Sequence, residues 1–303
     1  MPVTVEALIT KTGNATGEGP HWDERTQTFL YVDIHAYEVH RWSADTRIDE
    51  KYTFDDNCSL VVPCKKGGYL VGIGKSVCHF DWDSKKLTVL QTVDEDKGTR
   101  INDGKCDASG RLWFGTMSLG KTVDEIKYNE GSLYSLEVDG TVRKHKEGVS
   151  ISNGLAWTAD NKTMYYIDSI PRKVFGYDFG IKTGTMSNER VVVDFDKVEG
   201  MPKEALPDGM TIDADDKLWV ACFLGGRITR FDPNTGEEMT RINIAAKRTT
   251  SCCFGGKNFD ELFITSITDG ATEEELKETP LAGSVFRVTG LEIKGRPAPI
   301  YEG

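Results

Sequence analysis

Four short segments place glycine directly after an oxygen-bearing side chain, or one residue later: Glu18-Gly19, Asn102-Asp103-Gly104, Asn153-Gly154 and Asp208-Gly209. Each alone is an ordinary turn sequence. Together Glu18, Asn102, Asn153 and Asp208 offer two carboxylates and two carboxamides, with no cysteine or histidine, a donor set that suits a hard divalent cation such as Ca²⁺, Mg²⁺ or Mn²⁺. So few protein ligands leave coordination positions open for water and for a carbonyl or phosphoryl oxygen to be polarised. That chemistry is hydrolytic, provided the four segments meet.

A repeat supplies the means. An apolar, aromatic-rich strand recurs six times: Leu30-Tyr31-Val32-Asp33, Tyr69-Leu70-Val71-Gly72, Leu112-Trp113-Phe114-Gly115, Tyr165-Tyr166-Ile167-Asp168, Leu218-Trp219-Val220-Ala221 and Leu262-Phe263-Ile264-Thr265. The copies lie roughly 40 to 55 residues apart, the spacing of a propeller or another repeat array. Before each comes a short run with glycine near its start and then a turn, as at Asp107-Ala108-Ser109-Gly110, Asp160-Asn161-Lys162 and Asp213-Ala214-Asp215-Asp216. After it comes an alternating strand, as at Leu133 to Val138, Ile228 to Phe231 and Val285 to Val288. Three to four strands per unit and no helical stretch of consequence predict an all-β, six-bladed β-propeller; an irregular β-sandwich is the competing arrangement. All 303 residues (1–303) read as one domain, with the strand near Val3 to Leu8 sharing a blade with the last.

In a propeller the innermost strand of each blade lines the axial channel, so residues at one repeat phase converge. The four oxygen-bearing segments share that phase, and Ser59 and Ser251 hold it in units two and six. Four such residues at one phase point to a site, where any single one points to a turn.

Other chemistries fail on spacing. Gly74-Lys75-Ser76 lacks the glycine five residues earlier that a phosphate-binding loop needs, since that position is Tyr69. Asp194-Phe195-Asp196 and Asp213-Ala214-Asp215 have Glu199 and Leu218 where a calcium-binding EF-hand loop needs glycine. The five histidines show no HExxH or HxH spacing, and no GxSxG is present. A net charge of −11 opposes nucleic-acid binding, and no apolar run is long enough to cross a bilayer. Seven cysteines without regular spacing read as free thiols of a reducing compartment, with Cys252-Cys253 as small core residues. The sequons at Asn14 and Asn161 read as chance.

The segments Gly17-Glu18-Gly19-Pro20-His21-Trp22, Arg100-Ile101-Asn102-Asp103-Gly104-Lys105, Ile151-Ser152-Asn153-Gly154-Leu155, Tyr165-Tyr166-Ile167-Asp168-Ser169, Pro207-Asp208-Gly209-Met210 and Thr250-Ser251-Cys252-Cys253-Phe254-Gly255-Gly256 also carry a resemblance. They are similar to the regucalcin, senescence marker protein or gluconolactonase family, to which luciferin-regenerating enzyme is related. The resemblance spans essentially the whole chain. It implies a six-bladed propeller in which Glu18, Asn153 and Asp208 bind a metal, calcium or zinc. It further implies that Arg100 and Asn102 contact substrate and that Asp208 is the general base. One departure stands out: after Thr116-Met117, where sugar-lactone hydrolases of the family carry an acidic residue, this chain has Ser118-Leu119-Gly120-Lys121.

The expectation is therefore a cytosolic, monomeric, metal-dependent lactonase that opens an aldonolactone to its aldonic acid. Its cofactor is one divalent cation, Ca²⁺ first, with Zn²⁺, Mn²⁺ or Mg²⁺ as alternatives. Its partner is a small-molecule lactone, with no nucleic acid and no membrane. A luciferin-recycling or organophosphate-hydrolysing enzyme, or a calcium-responsive binding protein, are the competing functions on the same scaffold.

Overall fold

The computed structural model describes residues 2–10, 17–120 and 125–303. Six four-stranded antiparallel sheets form the blades of a β-propeller. Their innermost strands are Gly17–Asp23, Cys58–Pro63, Thr99–Cys106, Ser152–Trp157, Leu206–Ile212 and Thr249–Gly255 in blades 1 to 6. Each pairs with the landmark strand that follows it. These landmark strands are buried throughout or nearly so, which explains their continuous apolar composition. In blade 6 the outermost strand is the first of the chain, Thr4–Ile9, paired with Val285–Thr289 as expected.

The hairpin turns use the chemistry their sequences advertise. Asp107 accepts backbone N–H bonds from Ser109 and Arg111 and, on its other oxygen, the Trp113 indole N–H at 2.9 Å. Asp213 repeats the pattern with Asp215, Lys217 and Trp219. Gly110, Asn161 and Asp216 adopt left-handed backbone with φ of 78°, 56° and 57°. Gly74-Lys75-Ser76 forms the hairpin turn between Tyr69–Ile73 and Ser76–Phe80. Asn14 and Lys121 lie outside the described residues.

Among the described residues short helical elements depart from the all-strand expectation: Phe195–Lys197 is a single 3-10 turn. Glu273–Glu278 is a short α-helix, capped by the Thr272 hydroxyl and with three glutamates in its first turn. All seven cysteines are buried free thiols, Cys252 and Cys253 among them.

The C-terminal segment forms a strap. It leaves blade 5 at the Asp213–Gly295 bridge and reaches blade 2 at the Cys64–Tyr301 bridge. On the way Arg296 donates to Asp216 and to the Trp157 carbonyl. Tyr301 is buried, and its hydroxyl donates to the Glu137 carbonyl of blade 3 at 2.9 Å. Truncating a buried aromatic leaves a cavity and here also strips a hydrogen bond. Tyr301→Ala is therefore expected to lower unfolding free energy by about 3 kcal/mol or more, visible as a reduced denaturant midpoint with an unchanged slope.

Candidate active site

The axial site is made by β-bulges. The innermost strand of every blade slips register against its neighbour: between Glu18 and His21, Cys58 and Val61, Ile101 and Gly104, Ser152 and Leu155, Pro207 and Met210, and Thr249 and Ser251. A bulge bends the strand and re-aims a side chain. It puts Asn102, Asn153 and Asp208 at the same position, the first residue past the last regular pair. Asp103 then falls on the position that glycine holds in blades 4 and 5.

Those glycines are required by the neighbouring blade more than by a turn. A Cβ on Gly154 would lie 2.6 Å from the Met210 amide nitrogen, and one on Gly209 would lie 2.0 Å from the Ser251 hydroxyl. Close approach of inner strands is what lets the polar side chains converge.

Glu18, Arg100, Asn102, Asn153 and Asp208 line one cavity of about 630 Å³. All five are buried. Glu18 and Asp208 are neighbouring carboxyls that bear on one another's protonation, and the Asn153 side chain lies beside Asp208. Asn153 Nδ2 donates to the Ser169 hydroxyl at 2.9 Å, which fixes the carboxamide. Asn102 Nδ2 donates to the Ser152 carbonyl at 2.8 Å, and its Oδ1 accepts from Arg100 at 2.7 Å. Arg100 also donates to the Ile101 carbonyl. Its guanidinium is thus held inside the site and is not spread over the surface.

The electrostatics of the site resist the build-up of negative charge. Burial, and then the nearby Asp103, push the Glu18 carboxyl from 4.5 up to about 8, against the Gly19 amide and Arg100. Burial, then Glu18 and Asp103, raise Asp208 well above the usual carboxylate range. Burial also raises Asp103, opposed by Lys105 and the Gly104 N–H. Arg100 is lowered to about 10 by burial, with Glu18 opposing. Three carboxyl groups so placed hold protons or a cation.

This environment fits a divalent cation. Two neighbouring carboxyls and a carboxamide supply hard oxygen donors, and the mutual repulsion of the carboxyls is what a positive ion relieves. Among the described residues no cluster of three or more His, Cys, Asp or Glu is arranged around a metal position. The candidate set therefore depends on Asn153 as its third member.

Sequence reasoning missed several residues at or beside the cavity. Asp103, which acts on Glu18 and Asp208 through its charge, was hidden by its adjacency to Asn102, and only the bulge separates their roles. Across the mouth, His35 Nδ1 lies 2.5 Å from an Asp269 carboxylate oxygen, joining blades 1 and 6. Glu204 and Asp269 also line the cavity, so carboxylates reach the mouth from blades other than the Ser118 to Gly120 segment. No local pattern signals partners separated by more than two hundred positions.

A six-bladed propeller whose inner strands bulge to gather oxygen donors at one mouth of the axis defines a distinct class of protein. The chain belongs to the SMP-30/Gluconolactonase/LRE-like region family, which its residues 16–268 match. Regucalcin of Danio rerio is 42% identical over 301 residues, 99% of either chain. Regucalcin of Homo sapiens is 43% identical over 288 residues, 95% of either chain. Among solved structures, luciferin-regenerating enzyme superposes with a TM-score of 0.92 at 34% identity over the whole of both chains. A calcium-binding protein, regucalcin, from Agrobacterium tumefaciens superposes with a TM-score of 0.90 at 25% identity, over 100% of this chain and 99% of that one.

Proposed function

We propose that this chain is a metal-dependent lactonase that adds water to a cyclic ester and releases the hydroxy acid. The observation that carries this reading is the convergence of Glu18, Asn153 and Asp208 with the Arg100–Asn102 pair on the floor of one cavity. A divalent cation held by Glu18, Asn153 and Asp208, Ca²⁺ first and Zn²⁺, Mn²⁺ or Mg²⁺ as alternatives, would supply Lewis-acid polarisation of the ester carbonyl. The calcium-binding relative supports the choice of ion.

The side chains divide the remaining work. Asp208, as carboxylate, accepts a proton from the attacking water, whose oxygen bonds to the carbonyl carbon. The ring C–O bond then breaks, and the ring oxygen takes a proton to become the product hydroxyl. Arg100 presents a planar donor fork toward the oxygen on which negative charge develops. Asn102 holds that fork in place through its Oδ1. Because lysine cannot reproduce the fork, Arg100→Lys is expected to lower kcat/KM by roughly a hundredfold with little change in melting temperature.

The reading extends to a cytosolic monomer acting on a small-molecule lactone, without nucleic-acid or membrane partners. Buried free thiols and a net charge of −11 support it. Among the described residues no helix is long and apolar enough to cross a membrane.

Steady-state assays on gluconolactone and unsubstituted δ-valerolactone, with chelator and then each cation, test the function. Turnover restored by a divalent cation is expected; full activity in chelator removes the metal from the mechanism. Without a carboxylate on the Ser118 to Gly120 segment, gluconolactone is expected to show the higher KM of the two. Placing that carboxylate at Gly120 meets a tight spot, since a Cβ there lies 3.1 Å from the Glu125 backbone carbon.

A further inference from the structure

The cavity that holds the polar cluster is also lined by aliphatic side chains. Ile34 follows the landmark strand Thr28–Asp33 of blade 1, Met117 lies near the end of Leu112–Ser118, and Ile170 stands two residues past Thr163–Asp168. Leu224 and Ile267 each follow theirs, Leu218–Phe223 and Glu261–Ser266. All five line the cavity. They form an aliphatic collar near the exit of the second strand in five of the six blades, at positions that differ by up to two residues from blade to blade.

A second observation concerns the backbone. Leu224 has φ of 61°, a left-handed backbone that favours glycine or asparagine. An apolar side chain is kept there despite the conformation. Lys203, Glu204, Arg248 and Asp269 also line the cavity; the five aliphatic side chains add apolar surface that an alkyl group can remove from water and a hydroxyl cannot.

We propose that the cavity takes cyclic esters bearing an unbranched alkyl substituent, the ring on the floor and the tail along the collar of Ile34, Met117, Ile170, Leu224 and Ile267. The ester head group rests on the lactonase reading; the tail rests on the collar alone. Two ligand series keep them apart. The first is δ-lactones with no tail and with propyl, pentyl and heptyl tails, scored by kcat/KM on calcium-saturated protein. The second is the matching δ-lactams, which resist hydrolysis, scored by calorimetric Kd.

Burial of each methylene is expected to tighten lactam binding, and to raise lactone kcat/KM, by roughly fourfold until the tail outgrows the collar. Leu224→Gly, which the left-handed backbone accepts, and Ile170→Asn should each flatten both slopes. Lactam affinities indifferent to tail length overturn the proposal whether or not any lactone turns over. Affinities that climb with tail length while no lactone is hydrolysed uphold the collar and reject the lactonase reading.

Discussion

Asp208→Ala is expected to abolish lactone hydrolysis, by at least about a thousandfold in kcat/KM, in a protein that remains fully folded. Asp208 carries two duties in the proposed chemistry, as an oxygen donor to the cation and as the acceptor of the proton from water. Alanine performs neither, and Glu18 then remains the single carboxylate donor of the set. The fold should not suffer, because blade cores such as that around Trp219, Ile228 and Phe286 lie away from the axis. Without cation the variant should melt no lower than wild type, since burial and Glu18 already disfavour the Asp208 charge. Circular dichroism melting and single-turnover assays read the two halves separately. Cation-dependent turnover in the variant would remove Asp208 from the mechanism.

The second large effect is a pH-dependent loss of stability confined to chelated protein. Glu18 gives up its proton near 4.5 when unfolded and holds it to about 8 when folded. Between those values the folded state binds more protons, so stability falls as pH rises. Asp208 and Asp103 are raised too and act with the same sign. His21 and His145 act against them on the acid side, because burial lowers each from 6.5 to about 4, so stability rises with pH across that interval. Above pH 6.5 the histidine contribution is complete and the carboxyls act unopposed. Melting temperature in chelator is thus expected to decline from pH 6.5 to 8. With saturating Ca²⁺ the decline should vanish or reverse, as deprotonated carboxyls bind the ion more tightly. A chelated protein whose melting temperature climbs across this window contradicts the assigned site.

Much of this was written plainly in the chain. The six landmark strands were legible because each is buried on both faces and so reads as an unbroken apolar run. Asn153 and Asp208 were legible because a repeat converts equal phase into spatial proximity; Glu18 stands one position earlier, paired with Val32, and was found through the glycine that follows it. The bulges were not legible. A register slip of one residue leaves no mark in composition, and only pairing distinguishes Asn102 from Asp103. The helix Glu273–Glu278 was overlooked although Thr272-Glu273-Glu274-Glu275 carries the pattern of a capping box. The collar was not legible, because its members stand at differing distances along or past their landmark strands. The His35–Asp269 contact is out of reach of any sequence pattern, since it depends on how loops of blades 1 and 6 meet.

The pairing of Thr4–Ile9 with Val285–Thr289 has a consequence for biosynthesis. Of the described strands, the one synthesised earliest must wait for the one synthesised latest. At about 5 to 20 residues per second, that interval is on the order of tens of seconds. Throughout it, Thr4–Ile9 is an unpaired strand with both edges open to foreign chains. Glu6 stands in its middle, later to bond Arg287 at 2.7 Å. While the nascent chain is incomplete, that charge is a gatekeeper against premature pairing; once the ring closes, it becomes a clasp.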